Sequence, residues 1–568
     1  MNIRSHSFIV NSIIHETATT NSKPVDILIL DYAKAFDAMS VDVTMNDMFN
    51  TGINDNKLNL MNACDKEAHV AIKTPLGLTN RIPVDSTVAQ GDVNSTVKCT
   101  VSVSNISEEH EDNLEGHIYK YKNTVPVPPL GVVDDIANIA LCGTNSALAA
   151  AHLNAQTNLK KLTFGSEKCV QMHIGCDSII CPDNHIDTWT LKSDKEVIST
   201  VWDLTDVESD KHCMKKVIEW KYLGDVLQSN SKCDANIKER TRRGIGASTT
   251  VVQMLSELCL GRFFFQAANI LRASLFLSSL ISNSEAWVNL TVKNISDLQS
   301  IDDQLLRDIL SAQRNTPIEY LYLETGNISV KFVIISRRLN FLHYILCQEE
   351  DSLIKRFFKA QCSQPVKGDW VSTVKKDLEF LKITMTFEQI KNKSKGDFKE
   401  IVRKFINKES FEDLLEQRKK HSKGKEIEYR DLSTQNYLKS DSPLSIEEKR
   451  FAFAARTRGL NLKNNFKLGK TNLQCRLCND HLEDQQSLLV CPALIQVGQT
   501  QTPLQPRYGD IFSNNMDKLS VTIKILCKKY QEFQIQVNRQ PTRPSSSAPT
   551  INVDNDNDID VNNVGELE

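Results

Sequence analysis

Three aspartates punctuate short apolar runs in the first third of the chain. Ile27–Leu30 is bounded by Pro24 and Asp31, as a buried strand would be, and Val132–Val133 and Ile136–Leu141 flank the dipeptide Asp134-Asp135. Two apolar runs around a two-residue polar break read as a hairpin with carboxylates at its tip. If Asp31 ends a neighbouring strand, three carboxylates meet at one sheet edge. Apolar strands lower the local dielectric, so the charges repel, and a divalent cation resolves the conflict. Mg²⁺ is suited to such a place because it takes a few carboxylate oxygens plus waters and phosphate oxygens. An Asp-Asp pair alone is also an ordinary turn dipeptide, so its neighbours must decide between the two readings.

The remainder of the chain sets the frame. A length of 568 residues exceeds one hydrophobic core and implies two to four domains. With 40% hydrophobic and 24% charged residues, a collagen-like, a disulfide-stapled or a wholly disordered chain is excluded. No apolar stretch approaches the roughly 18–20 residues needed to span a bilayer, Leu271–Ile281 being interrupted by Arg272. Met1–Val10 lacks a signal core, and the expectation is an intracellular protein, nuclear or cytoplasmic, with no membrane partner. Fifteen dispersed cysteines imply reduced thiols, clustered only at Cys475, Cys478 and Cys491. The net charge of −3 conceals an acidic stretch over 1–190, a basic 191–539 and an acidic end, a balance that fits a metal site followed by a polyanion-binding surface or equally a set of solvated faces.

Residues 1–190 alternate strand and helix patterns, giving an α+β reading with a mainly antiparallel sheet. From 234 to 350 the period turns helical: Leu298, Ile301, Leu305 and Ile309 form a stripe, with Asp302, Asp303 and Arg307 elsewhere on the wheel. Thr316-Pro317 marks another helix start. Residues 330–465 read as basic helices with a dense run at Arg418–Lys425, either a nucleic-acid surface or a solvated face. Residues 538–568 read as a disordered acidic tail.

The aspartates keep recognisable company. Leu30-Asp31-Tyr32-Ala33-Lys34-Ala35-Phe36-Asp37 resembles the first palm motif of LINE-type (non-long-terminal-repeat) retrotransposon reverse transcriptases, and Ala89-Gln90-Gly91-Asp92 the second. Val132-Val133-Asp134-Asp135 resembles the third, and Leu162–Cys169 with Met172 and Gly175 the fourth. Weaker likenesses follow at Tyr222–Asp225, Asn283–Trp287, Thr316–Glu319 and Arg337–Tyr344. Four motifs in order are far more specific than any one of them.

The resemblance implies a right-hand polymerase palm over 1–190 with most of the fingers missing, a thumb-like helical region over 191–330, a basic helical linker over 331–465 and a degenerate zinc-knuckle-like segment over 466–495. It implies Asp31, Asp134 and Asp135 as carboxylates for Mg²⁺ or Mn²⁺, Phe36 beneath the incoming sugar, Gln90 and Gly91 at template and nucleotide, and Lys168 near the triphosphate. Each has an everyday alternative: Phe36 as core, Gln90-Gly91 as a turn, Lys168 as a solvated charge, and Asp37 is better read as a turn or cap.

The implied activity is RNA-directed DNA synthesis with an RNA template, a DNA primer and deoxynucleotides, and the alternative is a non-catalytic nucleic-acid-binding relic. Two local departures accompany the missing fingers. Ser95-Thr96 replaces a usual Ser-Pro, and Ser102–Gly116 does not read as an amphipathic helix. In the knuckle, serine stands at position 487 where a histidine is expected, leaving His481 to complete a Zn²⁺ set of Cys475, Cys478, His481 and Cys491 or leaving the knuckle without metal.

Overall fold

The structure, a computed structural model, describes the chain except residues 1, 21–22, 34, 67–68, 76, 84–94, 114–117, 133–134, 143, 166–167, 176–214, 422–424, 466–471, 496, 498–504 and 540–568. The disordered tail expected from 538 onward lies almost wholly outside the described residues. The chain divides into two compact units, Met1–Phe453 and Ala454–Glu568.

The first unit is mainly helical around one five-stranded sheet. Its strands are β1 (Val25–Asp31), β2 (Leu130–Val132), β3 (Asp135–Leu141), β4 (Val170–Ile174) and β5 (Lys215–Val217), in the order β5-β4-β1-β3-β2. All neighbours are antiparallel except β4 and β5. β1 is the central strand, and alternation assigns its residues to two cores. Val25, Ile27 and Ile29 share one face with Ala137, Ile139, Val170, Met172 and Ile174. Leu28 and Leu30 share the other with Ile136.

The first face is covered by α1 (Ile3–Thr19), whose N-cap Asn2 accepts a hydrogen bond from the Ser5 amide. Phe8, Ile9, Val10, Ile13 and Ile14 are all buried, together with His6 and His15. A helix buried nearly all round must be sandwiched between layers. Accordingly, Phe8 packs edge-on against Phe341 and Trp370, with ring centroids 6.0 and 5.1 Å away. At the end of β4, Gly175 has φ +94°, and a Cβ there would meet Thr17 Cγ2 of α1 at 2.6 Å, so the close approach of helix and strand requires glycine.

The second face is covered by α2 (Ser95–Asn113) and α3 (Thr144–Leu159). Here the structure corrects the sequence reading, because Ser102–Gly116 falls largely within a regular amphipathic helix. Ser95, Lys98, Cys99, Ser102, Val103, Ile106 and His110 form its buried stripe at helical spacing. The stripe is hard to read because three of its seven members are Ser or Lys and one is His. His110 meets His152 of α3, Nδ1 to Nδ1, at 3.1 Å.

Beyond the sheet, β6 (Glu219–Tyr222) and β7 (Asp225–Gln228) form a hairpin whose two turn residues, Leu223 and Gly224, both have positive φ, the geometry of a tight turn matched to strand twist. Helices follow: α4 (Asp234–Glu257), the run Gly261–Leu280, α5 (Val292–Leu310), α6 (Ile318–Thr325) and α7 (Val330–Leu346). Leu298, Leu305 and Ile309 are buried as expected, whereas Ile301 is half-exposed.

Asp302 and Asp303, off the apolar stripe, are buried as well. Their partners explain it. Arg272 Nε and Nη2 reach the two oxygens of Asp302 at 2.6 and 2.5 Å, and Tyr322 Oη lies 2.8 and 2.7 Å from Asp302 and Asp303. Arg272 begins a π-turn, Arg272–Phe276, within the helical run. By length and composition Gly261–Leu280 is long and apolar enough to cross a bilayer, which corrects the reading that no apolar stretch approaches that length. Within the fold Arg272 is held in a buried ion pair, while Arg262 is exposed.

Two outcomes follow from these buried polar groups. Asp302→Ala leaves the Arg272 guanidinium buried without its carboxylate and is expected to destabilise the first unit by about 3–5 kcal/mol in denaturant titration. Burial, reinforced by the neighbouring His152, holds His110 down at about 3 against an ordinary 6.5. Between those values the unfolded chain binds more protons than the folded one, so stability falls as pH is lowered through that window. His110→Gln should flatten the acid limb of a pH series of thermal melts.

Candidate active site

The geometry that matters begins with the strand register. β1 and β3 pair Asp31 with Asp135, directly opposite each other at the end of the sheet. Residues opposite one another on antiparallel strands share a face, with Cβ atoms roughly 4.5–5.5 Å apart, and like charges so placed repel. β2 and β3 pair Val132 with Asp135, which leaves positions 133 and 134 as the two residues between the strands. The expected hairpin therefore forms with Asp135 as its first paired residue. Asp134 lies outside the described residues.

Lys168 joins the pair, its Nζ 3.0 Å from Asp31 Oδ1. The segment before β4 delivers it: Tyr32 and Phe164 bridge, Ala33 N donates to Thr163 O, and Gly165 N donates to Asp31 O. The Tyr32 and Phe164 rings stack at 4.9 Å, and Cys169 Sγ contacts Asp31 O at 3.7 Å. Burial pushes the Cys169 thiol up to about 11, so it serves as packing and as a weak donor. Lys168 itself is 67% exposed while Asp31 is 24% exposed, so the carboxylate is partly open to solvent.

Tyr222 is the neighbour that sequence reasoning did not single out as a site residue. Burial first, and then the negative charge of Asp135, push its phenol well above the usual range, and its hydroxyl donates to Leu130 O at 3.3 Å. A buried, uncharged phenol beside Asp135 and the base of β2 stiffens the hairpin that carries the carboxylate.

The fit to a divalent cation can be read from these donors. Two carboxylates on one face, one at each of two adjacent strand ends, are the kind of partial oxygen set that Mg²⁺ takes, completing its shell with water or phosphate oxygens. A cation would compete with Lys168 for Asp31. Of the other expected nucleotide residues, Phe36 falls in the short helix Ala35–Ala38 but its side chain lies outside the described residues, and so do Gln90 and Gly91. The basic run is partly spent internally. Arg418 ends its helix Lys395–Arg418 by donating to Lys425 O and Ile427 O at 3.2 and 2.6 Å, over the ring of Tyr429.

In the second unit, Cys475, Cys478 and Cys491 have sulfurs within 4.8 Å of one another. Burial raises the Cys478 thiol, but hydrogen bonds from the Asp480 and His481 amides and from the thiols of Cys475 and Cys491 outweigh it and leave it below the ordinary value. Cys491, more deeply placed, is pushed up to about 12, by burial first.

The structure gathers the three sulfurs without His481. The bridge between Gln474 and Leu482 turns the loop so that His481 accepts the Cys475 amide at its backbone oxygen, 2.7 Å away, while the residue is exposed. Ser487 sits in the helix Gln485–Val490, its amide donating to the capping Asp484. Three thiols with no fourth protein ligand among the described residues make an open set for a thiophilic ion.

Compared with known proteins, the chain matches no family model and no curated protein. Among solved structures it is similar to apo telomerase from Candida tropicalis at 12% identity and a TM-score of 0.30, covering 65% of this chain and 56% of that one. It is also similar to telomerase from Candida albicans in complex with the TWJ fragment of telomeric RNA, at 12% identity and a TM-score of 0.25, covering 56% and 50%. The chain thus spans about half the length of these structures. So distant a likeness assigns no activity and no residue, and the carboxylate pair stands on the strand register alone.

Relief of carboxylate repulsion gives a direct measurement. Mg²⁺ in the millimolar range is expected to raise the thermal midpoint of the intact chain, and Asp135→Asn should abolish that rise while leaving the midpoint in chelator unchanged or higher.

Proposed function

We propose that this chain is an RNA-directed DNA polymerase of the non-LTR retrotransposon kind. The observation that supports it most is the cross-strand pair Asp31 and Asp135, on a hairpin whose sequence also supplies Asp134, with Lys168 at 3.0 Å. The reaction is attack of a primer 3′-hydroxyl on the α-phosphate of a deoxynucleotide, with pyrophosphate leaving, directed by an RNA template. Asp31, Asp134 and Asp135 would hold Mg²⁺ or Mn²⁺, which supplies charge neutralisation for the phosphates. Lys168, long and largely exposed, can exchange the Asp31 oxygen for a triphosphate oxygen as substrate enters. Phe36, Gln90 and Gly91 keep the nucleotide- and template-facing roles that their motifs imply. Cys475, Cys478 and Cys491 are proposed as a Zn²⁺ site with an open fourth position.

A second reading has its own observation. The ion pair between Lys168 and Asp31 occupies an oxygen that catalysis needs, which suits a scaffold retained for binding RNA or DNA without chemistry. Primer extension on a primed RNA template, with Mg²⁺ and Mn²⁺ in separate reactions, distinguishes the two. The polymerase reading expects extension that Asp31→Asn and Asp135→Asn each reduce by about 100-fold or more, with RNA binding unchanged. Folded wild type that binds RNA with a steep salt dependence but never extends a primer would leave the binding reading in its place.

A further inference from the structure

A second set of metal-type ligands lies on the other face of the same sheet. Asp26 of β1 pairs with His173 of β4 and with Ala140 of β3. Cys142 follows β3, and its amide continues the ladder to Pro24 O at 3.1 Å. Cys142 is two residues beyond Ala140, so alternation puts it on the face that Asp26 and His173 share. That face is the one of Leu28 and Leu30, opposite to the face of Asp31. Along β1 the set is five residues from Asp31, or about 17 Å.

The donor atoms are already gathered. One each from Asp26, Cys142 and His173 lie within 4.8 Å of one another, and His173 Nδ1 is 2.8 Å from Asp26 Oδ1. Ligands bound to one tetrahedral ion at 2.0–2.3 Å stand about 3.3–3.8 Å apart, so small side-chain adjustments suffice. Asp26 is 1% exposed, and a carboxylate so deeply buried requires a compensating charge. His173 and Cys142 are half-buried, which leaves a way in from solvent.

We infer that Asp26, Cys142 and His173 form a binding site for a borderline-soft divalent ion, Zn²⁺ above all, that ties the three middle strands together at the end of the sheet remote from Asp31. Thiolate, carboxylate and neutral imidazole bring a charge of −2, which cancels the ion within a half-buried setting. A thiol among the ligands favours zinc over Mg²⁺ or Ca²⁺, and three protein ligands leave the fourth position to water.

The test uses the full chain carrying Cys475→Ser, Cys478→Ser and Cys491→Ser, which removes the other cysteine cluster. Co²⁺ is titrated in as the probe, reading the thiolate-to-cobalt charge-transfer absorption, and Zn²⁺ is then added to displace it. The inference expects one equivalent of cobalt with a thiolate band. Cys142→Ser should lose that band, and His173→Gln should weaken Zn²⁺ binding about tenfold or more. Far-UV circular dichroism and a metal-free melt establish that the variants remain folded. A parent chain without a thiolate band overturns the site regardless of how the variants fold. A band that survives Cys142→Ser overturns it equally, since the thiolate would then come from elsewhere.

Discussion

The register of the central strand governs everything built on the sheet. Val25–Leu30 is buried along both faces, with Val25, Ile27 and Ile29 in one core and Leu28 and Leu30 in the other. Because the side-chain period is two, a slip of one residue would exchange the faces of the whole strand. Leu30 would then stand against Asp135, and Val25 would replace Asp26 beside His173. Neither apolar core tolerates the exchange, so the packing of Ile27 and Leu28 holds Asp31 and Asp26 in their places at a distance. Charged groups that repel or need partners are kept where they are by hydrophobic burial, which at about 25 cal/mol per Å² is the larger effect here.

The sequence disclosed those features that are local and periodic. The apolar run before Asp31, the pair of runs around Asp134-Asp135 and the stripe of Leu298, Leu305 and Ile309 each repeat within a few residues, and each forms the element expected. Of the long-range juxtapositions, the approach of Asp31 to the Asp134-Asp135 hairpin was legible from the strand pattern, whereas the contact of Lys168 with Asp31 was not. Lys168 meets Asp31 across 137 residues and was singled out through its motif. Asp26, Cys142 and His173 belong to no motif, and only the strand pairing brings them together. Buried polar residues hid the rest. A helix whose inner stripe contains Ser95, Lys98, Ser102 and His110 does not look amphipathic by composition, and Asp302 reads as surface until Arg272 is set against it. His481, a residue of the right type at a workable spacing, meets Cys475 through its backbone oxygen, a detail that spacing alone does not disclose.

Polar burial in this protein follows a consistent pattern. Arg240 with Asp225, Arg272 with Asp302, and Arg338 with Asp377 are each buried pairs between separate elements. Such pairs contribute little net stability beyond an apolar replacement, but breaking one strands a charge. Their effect is on which arrangement is allowed. Arg272 can be satisfied only where Asp302, Asn327 and Ile328 converge, so the helical run, α5 and the entry to α7 are held in one mutual orientation. Trp287 adds its indole N–H to Asp225, extending the same logic to the hairpin of β6 and β7.

The placement of α1 has a consequence for how the chain is made. Phe8 closes on Phe341 and Trp370, and β1 must wait for both β3 and β4. During synthesis at 5–20 residues per second, Trp370 follows Phe8 out of the ribosome by roughly 20–70 s. For the first part of that interval β1 has two unpaired edges, and throughout it the apolar face of α1 is open to the solvent. Hydrophobic collapse takes far less time, so the nascent first unit has ample opportunity to pack wrongly or to associate with other chains. Its yield in a cell is therefore set by how long its beginning can be shielded, a matter of timing and chaperone supply more than of final stability.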